Sequence, residues 1–186
     1  MSARYYMACV DVEGRDCLVV GGGRVALEKA DGLLACGAHV TIVAPEICDE
    51  LRGRPVSIVL RRFVDGDVDG RLLVIAATSD REVNRTVSSA AAGRATLCNV
   101  ADDPELCSFI LPAVVRRDPI LVGVSTGGAS PALAQRLRDD VADLVSPRHA
   151  ELARQLHALR PSVKRALPTY EARRDYFARL VAEALA

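Results

Sequence analysis

The chain has 186 residues, half of them apolar, with 24 basic side chains set against 24 acidic ones. That length suits one domain or one domain with a small appendage, and zero formal charge excludes the strongly basic face of a general nucleic-acid or membrane-surface binder. No stretch approaches the roughly 18 consecutive apolar residues of a membrane span, and the opening Met-Ser-Ala-Arg-Tyr-Tyr-Met has no apolar leader core, so a cytoplasmic protein with no membrane and no nucleic-acid partner is expected.

Residues 5–10 read as a short strand turning at Glu13-Gly14. Residues 17–20 form an apolar strand that runs into Gly21-Gly22-Gly23 and then a helix over 25–36, stopped by Gly37. Strands are predicted at 39–43, 57–60, 72–76 and 95–100, with a helix over 80–92. The continuous apolar run at 72–76 is the pattern of a parallel strand buried on both faces. The alternation of strands and helices predicts a Rossmann-like, doubly wound parallel sheet of the α/β class.

The pattern then changes. Two strand-like runs, 108–115 and 120–124, are joined by the polar Arg116-Arg117-Asp118-Pro119 and predict a hairpin. Ser130-Pro131 supplies an N-cap and a first-turn proline for a helix over 132–145. Further helical stretches follow Pro147, with breaks expected near Arg160-Pro161 and near Pro168. Residues 1–112 thus form the nucleotide-binding domain, 113–146 a small α+β region and 147–186 a helical C-terminal tail. A hairpin and helix too small for their own core need a partner surface, and a homodimer supplies one.

Gly21-x-Gly23-x-x-Ala26 fits the dinucleotide fingerprint between strand and helix. The first glycine allows the turn, the second lets a pyrophosphate approach the backbone, and the helix N-terminus offers N–H groups. In such a sheet the ligand lies over the carboxyl ends of the strands. Ala44, Pro45 and Glu46 follow the second strand, and Glu46 is the candidate for the ribose hydroxyls although it comes slightly late. No arginine stands beside it in sequence, which favours NAD over NADP. Ala76-Ala77-Thr78 end the next strand with small residues that allow close approach to a cofactor.

After the following strand comes Asn99-Val-Ala-Asp102-Asp103-Pro104. A carboxylate there is placed to exchange a proton, with partial burial expected to raise its pKa; an Asp-Asp-Pro turn is the plainer reading. Ser125-Thr126-Gly127-Gly128-Ala129-Ser130 reads either as a hydroxyl-rich edge of a ligand site or as the turn into a helix. Cysteines 9, 17, 36, 48, 98 and 107 form no Cys-x-x-Cys pair, and buried reduced thiols are expected. Histidines 39, 149 and 157 make no metal pattern, so no permanent metal site is expected.

Four segments stand in order: Gly21-Gly-Gly-Arg-Val-Ala-Leu-Glu-Lys29, Ala76-Ala-Thr-Ser-Asp-Arg-Glu-Val-Asn84, Asn99-Val-Ala-Asp-Asp-Pro-Glu-Leu-Cys-Ser-Phe109 and Ser125-Thr-Gly-Gly-Ala-Ser-Pro131. Together they resemble the precorrin-2 dehydrogenase/sirohydrochlorin ferrochelatase family, the N-terminal module of siroheme synthase. The resemblance covers residues 3–145 closely and the tail loosely. It implies NAD-dependent oxidation of precorrin-2 to sirohydrochlorin in a homodimer, and in many members insertion of ferrous iron to give siroheme. It places the family's aspartate at Asp102 and cofactor contacts at Arg24, Val25, Pro45 and Glu46, beside Gly21, Gly22, Gly23, Ala44 and Thr78.

A polycarboxylate tetrapyrrole calls for local arginines. Arg116, Arg117, Arg136, Arg138 and the basic tail are candidates; Arg116 and Arg136 join Asn99, Ser125, Thr126 and Gly127 as the expected substrate contacts. No methyltransferase domain such as longer siroheme synthases carry is expected with this module, so methylation is expected elsewhere. Thr126 stands where some relatives carry a serine that is phosphorylated. The competing reading is a nucleotide-sensing regulatory dimer without catalysis. An ordinary hydroxyacid or sugar dehydrogenase is disfavoured, because no tyrosine–lysine or histidine proton relay is present.

Overall fold

The structure is a computed structural model that describes residues 5–186. Expectations about the first four residues lie outside it. The chain divides into two compact units, one reaching Leu111 and one running from Pro112 to Ala186.

The first unit is built on five parallel strands: β1 (Asp16–Val20), β2 (His39–Ala44), β3 (Ser57–Leu60), β4 (Leu73–Ala76) and β5 (Leu97–Val100), in the order β3-β2-β1-β4-β5. The chain leaves β1 for β2 on one side and reaches β4 on the other. The switch point of the doubly wound sheet therefore lies at the carboxyl end of β1. Alternate residues of each strand face opposite layers. Cys17, Val19, Ile42 and Ile75 pack against Ala26 and Ala30 of α1 (Arg24–Leu34) and Leu51 of α2 (Asp49–Arg52). Leu18, Val20, Val43 and Val74 pack against Val87, Ala90 and Ala91 of α3 (Arg81–Ala92) and Val68 of a short 3-10 turn. Each fully buried aliphatic chain contributes about 1.5–3 kcal/mol, and the alanines of α1 let that helix lie close to the sheet.

The second unit has an antiparallel pair, β6 (Ala113–Arg117) and β7 (Ile120–Val124), followed by α4 (Pro131–Leu144), α5 (Pro147–Ala166) and α6 (Tyr170–Leu185). The Ser130 hydroxyl accepts from Leu133 N at 3.2 Å, giving the expected cap of α4.

Three expectations are corrected. Residues 5–10 form no strand: residues 6–11 are exposed, and neither sheet includes them. The hairpin starts at Ala113 rather than 108, because Ser108 and Phe109 are spent on the open edge of β5. Ser108 N donates to Cys98 O at 2.8 Å, and Cys98 N donates to the Ser108 hydroxyl at 2.7 Å. Finally, α5 runs unbroken through Pro161. The proline lies on the exposed face and removes one intrahelical donor, while Val163 is buried two residues on, so packing outweighs the local cost.

Candidate active site

A cleft of about 620 Å³ opens at the carboxyl ends of the parallel strands. Its wall brings together Gly21, Gly22, Gly23, Arg24 and Val25 after β1, Ala44, Pro45 and Glu46 after β2, Thr78 after β4, and Asp102 after β5. All nine residues expected at the cofactor and the expected proton-transfer aspartate therefore converge on one cavity, from segments up to eighty residues apart in sequence.

The glycine turn is fixed by backbone on two sides. Gly21 adopts φ +126°, and its N–H donates to Val43 O at 2.9 Å while Ala77 N donates to Val20 O at 2.7 Å. A Cβ on Gly21 would overlap the Ala77 carbonyl, so both conformation and space call for glycine. A Cβ on Gly22 would sit within the radius of the Glu46 carbonyl oxygen, and Cys48 N donates to Gly22 O at 2.7 Å. Gly23 differs: a Cβ there meets no atom within 4 Å. That open side faces a helix start with no side-chain cap and no acid in its first turn. Space without protein atoms, beside uncapped N–H groups, fits a pyrophosphate. Val25 is 43% exposed and leaves an apolar surface on the same wall.

Other expected residues have structural work of their own. The Thr78 hydroxyl accepts from Asp80 N at 3.1 Å and lies 2.8 Å from Asn84 Oδ1, while Asn84 Nδ2 donates to Thr78 O at 3.0 Å. Thr78 therefore lines the cleft with its hydroxyl engaged in the β4–α3 corner. Asp80 caps α3, accepting from Glu82 N at 3.0 Å and Val83 N at 3.3 Å. Asn99 is buried, does not line the cleft, and donates its amide to Phe109 O at 3.1 Å. Its polar group is used to close the edge of β5.

Asp102 sits at the cleft with φ +61°, a left-handed conformation uncommon for a residue with a side chain. It is exposed, so the partial burial expected for it is not found. Asp103 is less exposed, and one carboxylate oxygen lies 3.5 Å from Arg81 Nη2. Burial pushes the Cys98 thiol up to about 11 and raises Cys107 as well, which keeps both neutral.

Sequence reading missed Arg62 and Phe63, which line the same cleft from just beyond β3. The strand-end rule that found Glu46 after β2 would have found them had it been applied to the next strand outward. The absence of a neighbouring arginine, read along the sequence, is thus corrected in space: Arg24 and Arg62 share the cleft with Glu46.

Ser125, Thr126, Gly127, Arg116 and Arg136 all belong to the second unit. There the Thr126 hydroxyl accepts from Ser130 N at 3.0 Å and donates to Ser130 O at 3.1 Å, and Gly127 N donates to the Ser125 hydroxyl at 3.1 Å. Arg116 is exposed on β6, and Arg136 Nη2 lies 2.9 Å from Asp140 on α4. Among the described residues no group of three or more His, Cys, Asp or Glu is arranged to hold a metal ion, and no helix is long and apolar enough to cross a membrane.

A family model for NAD(P)-binding proteins matches residues 8–113, more than half of the chain. The chain belongs to this family. A second model, the central part of sirohaem biosynthesis proteins, matches residues 117–144. The siroheme synthase of Thioalkalivibrio sulfidiphilus is 42% identical over 181 residues, covering 95% of this chain and 37% of that protein. The siroheme synthase of Methylococcus capsulatus is 44% identical over 167 residues, covering 88% and 35%. The chain thus spans just over a third of the length of these curated relatives. Among solved structures, that of SirC, precorrin-2 dehydrogenase, matches with a TM-score of 0.81 over 98% of this chain and 93% of that one, at 24% identity, and shares the fold. The family resemblance, the Rossmann-like fold and the dinucleotide cofactor expected from sequence are borne out together.

Proposed function

We propose that the chain oxidises precorrin-2 to sirohydrochlorin, with NAD as acceptor, as a homodimeric cytoplasmic enzyme of siroheme formation. One observation carries this reading: the glycine turn and Asp102 meet in a single cleft. A nucleotide sensor needs the turn and has no use for an accessible carboxylate beside it.

Each group has a role in the chemistry. The uncapped N-terminus of α1 and the open side of Gly23 hold the pyrophosphate, Val25 offers apolar contact, and Glu46 accepts from ribose hydroxyls, which favours NAD. Bound NAD supplies the hydride acceptor. Asp102 takes the proton that leaves the substrate carbon framework as the ring system is oxidised. Its exposure leaves the carboxylate accessible to a bulky substrate, and the left-handed backbone fixes the direction from which it acts. A polycarboxylate substrate calls for cations, which Arg116 and Arg136 supply, and for hydrogen-bond donors, which the 125–127 segment supplies.

The second unit's surface supports the dimer. Leu121, Leu133, Leu137 and Leu144 are exposed there, on a two-stranded sheet and helix that need a further layer. Residues 113–146 form the dimerisation region, and residues 147–186 a helical domain. Ferrous iron, where it is inserted, is a substrate, and Asp102 is equally suited to receive the pyrrole protons it displaces.

The test is an anaerobic assay of the purified protein with enzymatically made precorrin-2 and NAD, following sirohydrochlorin absorbance. NAD-dependent turnover is expected. Dinucleotide binding without turnover would leave the sensor reading in its place. Adding ferrous ion to sirohydrochlorin in a separate reaction measures the chelatase step.

A further inference from the structure

The strand bearing Asn99 and Val100 ends in a tetrapeptide, Val100 to Asp103, whose third residue is left-handed. Asp102 makes no hydrogen bond that accounts for that conformation. The turn is closed by one long backbone bond, Asp103 N donating to Val100 O at 3.4 Å, and it is braced by bonds that converge on the sulfur of Cys107. Val100 N donates to Cys107 Sγ at 3.1 Å, and Sγ in turn lies 3.3 Å from both Val100 O and Asp103 O. Asn99 Nδ2 approaches the same sulfur at 3.6 Å. One atom therefore reinforces the long backbone bond between the first and last residues of the tetrapeptide, with Asp102 on the arc between them. Ala101 N donates to Ala76 O at 2.9 Å and moors the near side of the arc to β4.

The chemistry suits a thiol. β5 is an edge strand, so its Val100 N–H has no neighbouring strand on the outer side to receive it. A neutral thiol accepts from that N–H and donates its one proton to a carbonyl, and burial keeps Cys107 in the neutral form. A thiolate would repel both carbonyls, and an apolar side chain would leave Val100 N–H without a partner in a half-buried site.

We propose that Cys107 is a positioning residue: its sulfur braces the Val100–Asp103 turn and so aims the Asp102 carboxylate into the cleft. The proposal rests on the reading of Asp102 as the group that takes the substrate proton. It goes beyond that reading by assigning the aspartate's placement to a side chain that touches neither cofactor nor substrate.

The experiment compares Cys107→Val, which fills the sulfur's space without a polar atom, with Cys107→Ser, which keeps donor and acceptor. Cys98→Ala serves as the control for a buried thiol nearby that makes no bond to the arc. With precorrin-2 and NAD, Cys107→Val is expected to lower kcat at least about tenfold with KM for NAD within about twofold, since small misplacement of a reacting group is costly. Cys107→Ser is expected to restore kcat to within about threefold, and Cys98→Ala to change melting temperature and leave kcat near wild type. The carboxyl 13C resonance of Asp102 is expected to move in Cys107→Val and to stay in Cys98→Ala. If the valine variant fails to fold, Cys107→Ala takes its place with the same expectations.

Wild-type kcat and an unmoved Asp102 resonance in a folded valine or alanine variant would overturn the proposal. Asp102→Asn, run alongside, separates the two layers. If it abolishes turnover while Cys107→Val is fully active, the positioning role fails and the proton-transfer reading stands. If Asp102→Asn is itself fully active, the proton-transfer reading fails.

Discussion

The two units solve the problem of stability differently. In the first, a five-stranded sheet is covered on both faces, and its central side chains, from Leu18 to Val87, have no contact with water. In the second, only Val115, Ala134, Ala150 and Val163 are buried, while four leucines of β7 and α4 lie open. A closed core holds the glycine turn and Asp102, the residues proposed for cofactor binding and proton transfer, at the strand ends that it fixes. An open apolar surface does no such positioning, and its value lies in what it can join. The cleft at the strand ends therefore belongs to the unit with the closed core.

That contrast can be attacked from either side. The largest effect is expected from Asp102→Ala, which should lower kcat by about 10²- to 10⁴-fold and leave dinucleotide affinity intact, as read by assay and by NADH fluorescence titration. Gly22→Ala should come next. Its methyl has to displace the Glu46 carbonyl, so dinucleotide binding is lost and stability falls by about 1–3 kcal/mol, with the oligomeric state unchanged by light scattering. Gly23→Ala gives the internal contrast, weakening binding without lowering the melting temperature.

The double change Leu121→Asp with Leu137→Asp should yield a monomer whose dinucleotide affinity stays within about threefold of wild type, since the first unit needs no partner to hold its turn. A monomer with lost affinity would break the comparison. Asn84→Ala should cost about 1–3 kcal/mol, because it leaves a buried corner without its amide.

The smallest effect concerns acid. The Arg61 guanidinium, 2.5 Å from the Asp67 carboxylate, holds its pKa below the usual value. The pair therefore adds stability above the ordinary carboxylate range near pH 4 and loses it as pH falls through the depressed value. Asp67→Asn should be slightly less stable than wild type at pH 7, with the gap narrowing as the pH is lowered through the acid range, by thermal melting.

Much of the first unit was legible in the sequence for a simple reason. Its strands are short apolar runs bounded by glycine, proline and capping residues, and those local signals agree with the global sheet. The failures occurred where a local signal met a nonlocal fact. Residues 5–10 have strand character and no strand to pair with. Pro161 has the signature of a break, and a buried valine two residues later holds the helix together. Ser108 and Phe109 look like strand residues and are in fact pairing, but with the backbone of Cys98.

The site divides in the same way. The glycines and the carboxylate at strand ends were readable in their placement, because backbone geometry alone puts them there, whereas the exposure of Asp102 was not. Asn99 and Thr78 carry equally suggestive polar groups, yet both are consumed by nearby carbonyls and amides, which no spacing reveals. Arg62 was overlooked because it stands sixteen residues from Glu46 in sequence and shares a wall with it in space.

The contact between Gly22 and the Glu46 carbonyl has a practical consequence for redesign. It ties the glycine turn to the loop after β2, so that, if these two segments hold the phosphates and the ribose as proposed, the two cannot be retuned by altering loop length. An insertion between Pro45 and Cys48 is expected to displace the glycine turn, and with it the proposed phosphate site, before it changes any preference. Conversion towards the phosphorylated cofactor should instead proceed by side chain alone, neutralising Glu46 and recruiting Arg62 across the gap, with every backbone atom left where it is.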